Sequence, residues 1–110
     1  MKQLEHSIQS AILDHLGHLR IFCYRNNTGK ILATYKGRTR MVRFGVKGAP
    51  DIVCVIRGRF VGLEVKRLGE FLDKDQIIFR ENLTRAGGAY CIARSVEDVD
   101  EFLRQLKAEG

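Results

Sequence analysis

The sequence lacks the features that mark several common classes of protein. Its 110 residues contain no apolar stretch close to the ~20 residues that a membrane-spanning helix requires. The first residues do not resemble a secretion signal, so we expect a cytoplasmic protein with no membrane partner. With 45% apolar and 29% charged residues, the composition is that of a soluble globular protein. The length predicts one domain, residues 1–110, with a single core.

Cysteine and histidine are too few and too scattered to build a disulfide framework or a zinc centre. Cys23, Cys54 and Cys91 are widely spaced and each lies in a predicted strand, a pattern that predicts buried, reduced thiols. The three histidines all fall in the first predicted helix. No separate His-Cys or His-Asn-His cluster is therefore present in the sequence to support zinc or histidine-metal chemistry.

Acidic residues are missing from a long internal segment. None occurs between Asp14 and Asp51, whereas eight basic residues do, and the whole chain has a net charge of +6. A field of one sign favours a polyanionic partner, with nucleic acid as the first candidate. The alternative is a solvated loop region that its charge keeps soluble. The basic residues that we expect to contact nucleic acid are Arg25, Lys30, Lys36, Arg38, Arg40, Arg43 and Lys47.

Aromatic residues are interleaved with these charges. Tyr24, Tyr35 and Phe44 occur in the same segment, and aromatic rings stack well on nucleic-acid bases. For Tyr24 and Phe44 we favour packing in the core.

Two acids lie at the open end of an otherwise apolar hairpin. Residues 52–56 and 60–65 are mostly apolar and predict two strands, with Arg57-Gly58 as a two-residue turn. That turn places Asp51 directly opposite Glu64. Directly opposed residues share one face of the sheet at about 5 Å between Cβ atoms, and like charges there repel. A positive charge is therefore expected between them.

Lys66 completes this cluster. Strand alternation sends it to the same face as Glu64, while Val65 points to the other face. Two hard oxygen ligands at this distance suit Mg²⁺ or Mn²⁺, and a neighbouring ammonium can hold a water or take part in its deprotonation. The alternative is an ion cluster in which Lys66 neutralises one acid and no metal binds.

The remaining elements predict an α/β domain with a mixed sheet. The order is helix, strand, hairpin strands, helix, strand, helix. Glu5 falls within the apolar arc of the first helix, which runs from about Gln3 to Leu19. Gln76 lies on the apolar side of the second helix, which we expect to begin at about Asp75, and points toward the sheet. In the last helix, Ser95 and Asp98 predict a capping box with Asp in place of Glu.

These motifs together resemble the VRR-NUC domain, a branch of the PD-(D/E)-x-K nuclease superfamily. The resemblance extends from the first helix to the strand around Cys91 and implies a restriction-endonuclease-like mixed β-sheet flanked by α-helices. The motifs that carry it, in chain order, are an inward Glu5, Gly48-x-Pro50-Asp51, Glu64-x-Lys66 and Gln76.

The resemblance also implies a role for each motif residue. The acids matching Asp51 and Glu64 bind Mg²⁺ or Mn²⁺, together with the backbone carbonyl of Val65, and Glu5 would complete the metal shell. Lys66 would orient or activate the attacking water.

Other polar residues take supporting roles by the same resemblance. Gln76 would support the site and counts among the catalytic residues. Asn26 or Asn27 would match a polar position near it, and we include Asn27 among the expected nucleic-acid contacts.

Short, stand-alone relatives resemble phage or bacterial endonucleases. The resemblance therefore implies a metal-dependent DNA hydrolase with no small-molecule cofactor, working as a homodimer on branched DNA such as Holliday junctions. A symmetric dimer suits the two strand cuts that a four-way junction requires. The alternatives are a nucleic-acid-binding module that keeps the fold without cleaving, and a structural partner protein with an ion cluster.

Overall fold

The computed structural model describes residues 2–26 and 29–109, and within them it shows three helices and six strands. In chain order the elements are α1 (Lys2–His18), β1 (Phe22–Arg25), β2 (Gly29–Tyr35), β3 (Arg38–Phe44), β4 (Ile52–Ile56), β5 (Arg59–Val65), α2 (Lys74–Arg85), β6 (Ala89–Ala93) and α3 (Val96–Ala108). None of the helices in these ranges combines the length and apolar character needed to cross a bilayer.

Four strands form one mixed sheet in the order β1-β4-β5-β6. The first three are antiparallel, and β6 runs parallel to β5. Arg57 and Gly58 both have positive φ, the conformation of a two-residue turn whose twist matches the flanking strands. Ile56 therefore pairs with Arg59, and Ile52 with Leu63, as the sequence predicts. The predicted α/β class with a mixed sheet and flanking helices is confirmed.

The two faces of this sheet are covered differently. On one face, Ile12 and Leu16 of α1 and Val99 and Leu106 of α3 pack against alternate strand residues to form the core. The strand residues of this core are Ile52, Cys54, Val61, Leu63, Val65, Ala89, Cys91 and Ala93. On the other face lies α2, which contributes no fully buried residue. All three cysteines are free thiols. Cys54 and Cys91 are buried, as predicted, whereas Cys23 on edge strand β1 is only partly buried, contrary to the prediction.

The N-terminal cap of α3 differs from the predicted box. Ser95 accepts a hydrogen bond from the Asp98 N–H at 3.1 Å, but Asp98 accepts from the Arg94 N–H at 2.9 Å. Asp98 therefore accepts from Arg94, the residue before the cap, and not from the N–H of the cap residue Ser95. Only one of the two hydrogen bonds of a capping box is formed between Ser95 and Asp98.

Strands β2 and β3 form a separate two-stranded sheet, which we call the arm. The two strands pack on each other and make no other extensive contact with a described helix or strand. The molecule is correspondingly elongated, with extents of 55 × 31 × 28 Å. The expectation that Tyr24 and Phe44 pack in the core is wrong, because no layer covers the arm or the face of edge strand β1 that carries Tyr24, and both rings are exposed.

Gly48 brings the end of the arm against the start of α2. Its φ is 79°, and a Cβ atom there would lie 2.2 Å from the Asp75 carbonyl oxygen and 2.9 Å from the Gln76 nitrogen. A side chain would therefore push against backbone that cannot move without shifting α2. Gly48 is thus required for both its conformation and its close approach.

We expect Gly48→Ala to destabilise the fold by clearly more than Gly58→Ala. Both glycines have nearly the same φ, 79° and 77°, so both substitutions incur the left-handed strain of about 1–2 kcal/mol. Only Gly48 has atoms within contact distance of the added carbon, because the surroundings of Gly58 are open. Denaturant unfolding of the two variants measures the difference, and equal losses would contradict the contact as the cause.

Candidate metal and catalytic site

The two strand acids meet because of the hairpin register. Ile52 and Leu63 are the last pair of the β4–β5 ladder, and the same register continued by one residue brings Asp51 opposite Glu64, on the face of the sheet away from the core. Buried Pro50 fits above Gly62, where a Cβ atom would lie 2.7 Å from the proline Cγ. A larger residue at Gly62 would displace the segment that carries Asp51.

Backbone and side-chain bonds hold Asp51 in place. Its Oδ2 accepts a hydrogen bond from the Val65 N–H at 2.8 Å. Asn26, which directly follows β1, holds the same segment. Its N–H donates to the Asp51 carbonyl at 2.8 Å, and its Nδ2 donates to the Pro50 carbonyl at 3.1 Å. Asn26 therefore fixes the backbone of the acid. The neighbouring Asn27 lies outside the described residues.

Glu64 is only 3% exposed, which is unusual for a carboxylate. Its Oε2 accepts from Gln76 Nε2 at 3.0 Å and lies 3.9 Å from Lys66 Nζ. Its Oε1 is buried and has no hydrogen-bond partner. An unpaired buried carboxylate oxygen is costly, so this site is incomplete as it stands.

The electrostatics of the pair follow from this burial. Desolvation, then the close approach of the Asp51 carboxylate, raise the pKa of Glu64 from its ordinary 4.5 to about 9, against the opposing effect of Lys66. In the metal-free protein Glu64 therefore keeps its proton near neutral pH. Two facing carboxylates with an unpartnered buried oxygen fit a hard divalent cation, which would displace that proton.

Glu5 lies at the margin of this cluster. Burial, followed by the charges of Glu70 and Asp51, raises its pKa, while Lys66 and Arg67 lower it. Across residues 2–26 and 29–109, however, no three Asp, Glu, His or Cys side chains are arranged to hold a metal ion. The structure thus brings Asp51 and Glu64 together without a third acid closing the ligand set, and the metal role of Glu5 stays a prediction.

Gln76 is oriented by the cap of its own helix. Asp73 accepts from the Gln76 N–H at 2.9 Å, and Gln76 Oε1 accepts from the Asp73 N–H at 2.9 Å, which forms a capping box. This leaves Gln76 Nε2 to donate to Glu64. Asp73 is a supporting residue that the sequence analysis missed, although the Asp-x-x-Gln spacing carries the signal.

The basic residues expected to bind nucleic acid are spread over two faces of the arm and its ends. Arg38 and Arg40 lie on one face of β3, whereas Arg43 lies on the other face. Tyr35 of β2 pairs with Arg38. Lys36 lies in the turn, 5.5 Å from the centre of the Tyr35 ring. The side chain of Lys30, a residue of β2, is outside the described part of the structure.

Two of the expected basic contacts are engaged within the protein. Arg25 donates from Nη2 to Ser10 Oγ at 3.4 Å. Lys47 Nζ lies 3.5 Å from Asp75 Oδ2 at the start of α2. Their charges are therefore less available to a partner than those on the arm.

Comparison with solved structures places this architecture among known folds. A chain described as "VRR_NUC domain" superposes with a TM-score of 0.64 at 21% sequence identity, covering 92% of this chain and 95% of that one. The protein has the VRR_NUC fold. The predicted resemblance is confirmed at the level of the fold. Neither the protein-family models nor the curated proteins give a match to the chain.

We expect Glu64→Gln to stabilise the metal-free VRR_NUC fold increasingly as pH rises. A folded-state pKa of about 9 against 4.5 means that the folded state binds more protons than the unfolded state in this interval. The stability that this group contributes is fully present below pH 4.5 and is lost as pH rises through about 9. Melting in EDTA should show a gap between variant and unmodified protein that grows by roughly 4 °C or more between about pH 5 and about pH 8.

The exposed Glu81 of α2 offers a matched control, because Glu81→Gln removes the same charge outside this cluster. A difference in melting temperature that does not change with pH would contradict the raised pKa of Glu64.

Added Mn²⁺ should raise the melting temperature of the unmodified protein and have little effect on Glu64→Gln. An ion that binds only the folded state contributes about 2.7 kcal/mol at a hundredfold excess over Kd.

Proposed function

We propose that this protein is a metal-dependent endonuclease that hydrolyses phosphodiester bonds in DNA, with residues 1–110 acting as one nuclease domain. The observation that supports it best is the facing pair Asp51 and Glu64, with a buried carboxylate oxygen left unpartnered. A binding module without catalysis would have no use for two acids facing an anionic backbone. The VRR_NUC fold supports a nuclease in general.

The residues that would hold Mg²⁺ or Mn²⁺ are Asp51 and Glu64, with the Val65 carbonyl, and Glu5 as a further oxygen ligand at the margin. When bound, a divalent cation stabilises the charge of the phosphorane-like transition state and lowers the pKa of a coordinated water. Gln76 holds the Glu64 carboxylate at 3.0 Å in one orientation. The Val65 N–H does the same for Asp51 at 2.8 Å.

Lys66 is the group suited to hold the attacking water. Its side chain is 15% exposed and its Nζ lies 3.9 Å from Glu64 Oε2, so the ammonium group lies beside the acids. Hydrolysis forms a new bond from the water oxygen to phosphorus and breaks the bond from phosphorus to one sugar oxygen, which leaves with a proton. A fixed ammonium orients the water for that in-line displacement.

In this proposal the arm binds the phosphate backbone of DNA. Arg38, Arg40 and Arg43 are exposed on both faces of a ribbon that projects from the sheet, and no acid occurs in the arm. A two-stranded ribbon has a width that the major groove of DNA admits. Contacts of this kind bind phosphate without reading sequence.

We further infer that two copies act together on branched DNA. A four-way junction requires a cut in each of two strands, and a symmetric pair of sites provides both. Each copy would contribute one set of acids and one arm. We infer this by analogy with homodimeric resolvases of branched DNA, which stand-alone proteins of this type resemble.

We expect Lys66→Ala to abolish cleavage and leave DNA binding largely intact. Labelled four-way, flap, duplex and single-stranded DNA should be incubated with each protein in Mg²⁺, Mn²⁺ or EDTA. The unmodified protein should place paired, symmetric nicks in the junction only when metal is present. Lys107→Ala on α3 is the matched control, because it removes an exposed lysine on the opposite side of the sheet. Unchanged turnover in Lys66→Ala would refute its role with the water.

We expect Arg38→Ala/Arg40→Ala to flatten the salt dependence of DNA binding. These two side chains share one face of the arm, and each phosphate contact that is lost reduces the log-log slope by about 0.9. The slope should therefore fall by up to about 1.8. Arg104→Ala/Lys107→Ala removes the same charge from α3 and should leave the slope unaltered. Equal slopes for the arm variant and the unmodified protein would place the grip elsewhere.

A further inference from the structure

A tight turn follows directly after Lys66. The Glu70 N–H donates to the Arg67 carbonyl at 3.0 Å and closes a four-residue turn. Its third residue, Gly69, has φ 88°, the conformation that a type II turn requires at this position. We call residues 67–71 the apolar turn, because it carries Leu68 and Phe71.

The apolar turn is held by side chains as well as by its backbone. Glu70 Oε1 accepts from the Arg67 N–H at 2.7 Å, and Glu70 Oε2 accepts from Arg67 Nη2 at 3.0 Å. Arg94, which directly follows β6, donates from Nη2 to the Glu70 carbonyl at 2.6 Å. Hydrogen bonding to Arg67 lowers the pKa of Glu70 to about 2, so the pair stays charged across the physiological range. The conformation of the turn is thus fixed.

This rigid turn presents two large apolar side chains to solvent. Leu68 is 93% exposed and Phe71 is 80% exposed. Leu68 shows the highest exposure among the large apolar residues of the described chain. Ordinary surface loops carry polar residues at such positions, because exposed apolar groups order water without gaining contacts.

We propose that Leu68 and Phe71 form a wedge that inserts against unstacked DNA bases beside the scissile phosphate. The inference rests on the proposed nuclease function and adds how the site would distinguish branched DNA from plain duplex. Leucine and phenylalanine are side chains that DNA-bending proteins insert between base steps. Base stacking on such a surface tolerates any sequence, since every base has an apolar face.

The position of the apolar turn next to Lys66 indicates that DNA bases, and not another partner, would contact it. Leu68 is two residues after Lys66, so their Cα atoms are at most about 7 Å apart. Successive nucleotides in one strand are spaced by about 3.4 Å along the helix axis, so a phosphate beside Lys66 brings bases within about two steps of the wedge. In an intact duplex those bases are stacked on one another. At a branch point, gap or mismatch the stack is interrupted, so a wedge has less stacking to displace there than in an intact duplex.

The size of the surface argues against a protein as the occupant. A stable protein interface buries about 800 Å² on each partner and involves 20–30 residues. The apolar turn offers two apolar side chains next to charged Arg67 and Glu70. Its rigidity suits insertion between bases, because a wedge that could collapse onto the protein would lose its contact with DNA.

The test uses 2-aminopurine, whose fluorescence rises when it is unstacked, placed at the branch point of a four-way junction. Measured in EDTA, binding of the unmodified protein should raise the signal. Leu68→Ser/Phe71→Ser should lose most of that rise and should lose its preference for junction over duplex by about 10-fold. Phe22→Ser is the matched control, because Phe22 is an exposed phenylalanine paired with Val55, at the far end of β4 from Asp51.

The outcomes separate the wedge from the nuclease proposal. A signal that the double variant loses supports the wedge, even if no protein cleaves in Mg²⁺ or Mn²⁺ and the nuclease proposal fails. Cleavage by the unmodified protein, with signal and junction preference retained in the double variant, overturns the wedge alone. Absence of any signal with the unmodified protein overturns the wedge whether or not it cleaves. Light scattering that shows a dimer for the unmodified protein and a monomer for the double variant also overturns it, because the pair would then be a contact between copies.

Discussion

Repulsion between Asp51 and Glu64 is the constraint around which the rest of this structure is arranged. The hairpin register forces the two carboxylates to face each other on a largely buried surface, where a single charge is already unfavourable. Gly48, Pro50 and Gly62 let the segments that carry them approach closely. The hydrogen bonds that hold the pair point at one oxygen of each acid, from the Val65 N–H and from Gln76 Nε2. Ionisation of Glu64 therefore destabilises the fold unless a cation is bound beside it.

The sequence was sufficient to predict that Asp51 and Glu64 face each other, because the rules of turn length and strand alternation act over only a few residues. A two-residue turn at Arg57-Gly58 determines the register of the hairpin that follows, and strand alternation then assigns Lys66 to the face of Glu64. The inward direction of Gln76 follows in the same way from helical periodicity. These parts of the site required no knowledge of how the elements are assembled.

Tertiary packing decided what the sequence could not show. The alternation in the arm is the same for a hairpin that joins the main sheet and for one that stands apart, so the exposure of Phe44 could not be foreseen. Tyr24 is exposed because β1 is an edge strand of the main sheet, a position that its own residues do not reveal. Asp73 was overlooked because the predicted helix began two residues later. The bond from Arg94 to the Glu70 carbonyl joins residues 24 positions apart, and only the parallel pairing of β5 and β6 brings them together.

Both ends of the arm are fastened to the site. Asn26 precedes it and is bonded to the carbonyls of Pro50 and Asp51, while Gly48 follows it and is packed on the backbone of Asp75. Between these two anchors, β2 and β3 make no extensive contact with another described helix or strand. The arm is therefore an exchangeable part: its length and sequence can change over generations while the acids keep their positions. A scaffold built in this way can alter the outer surface that it presents without moving the residues of its buried site.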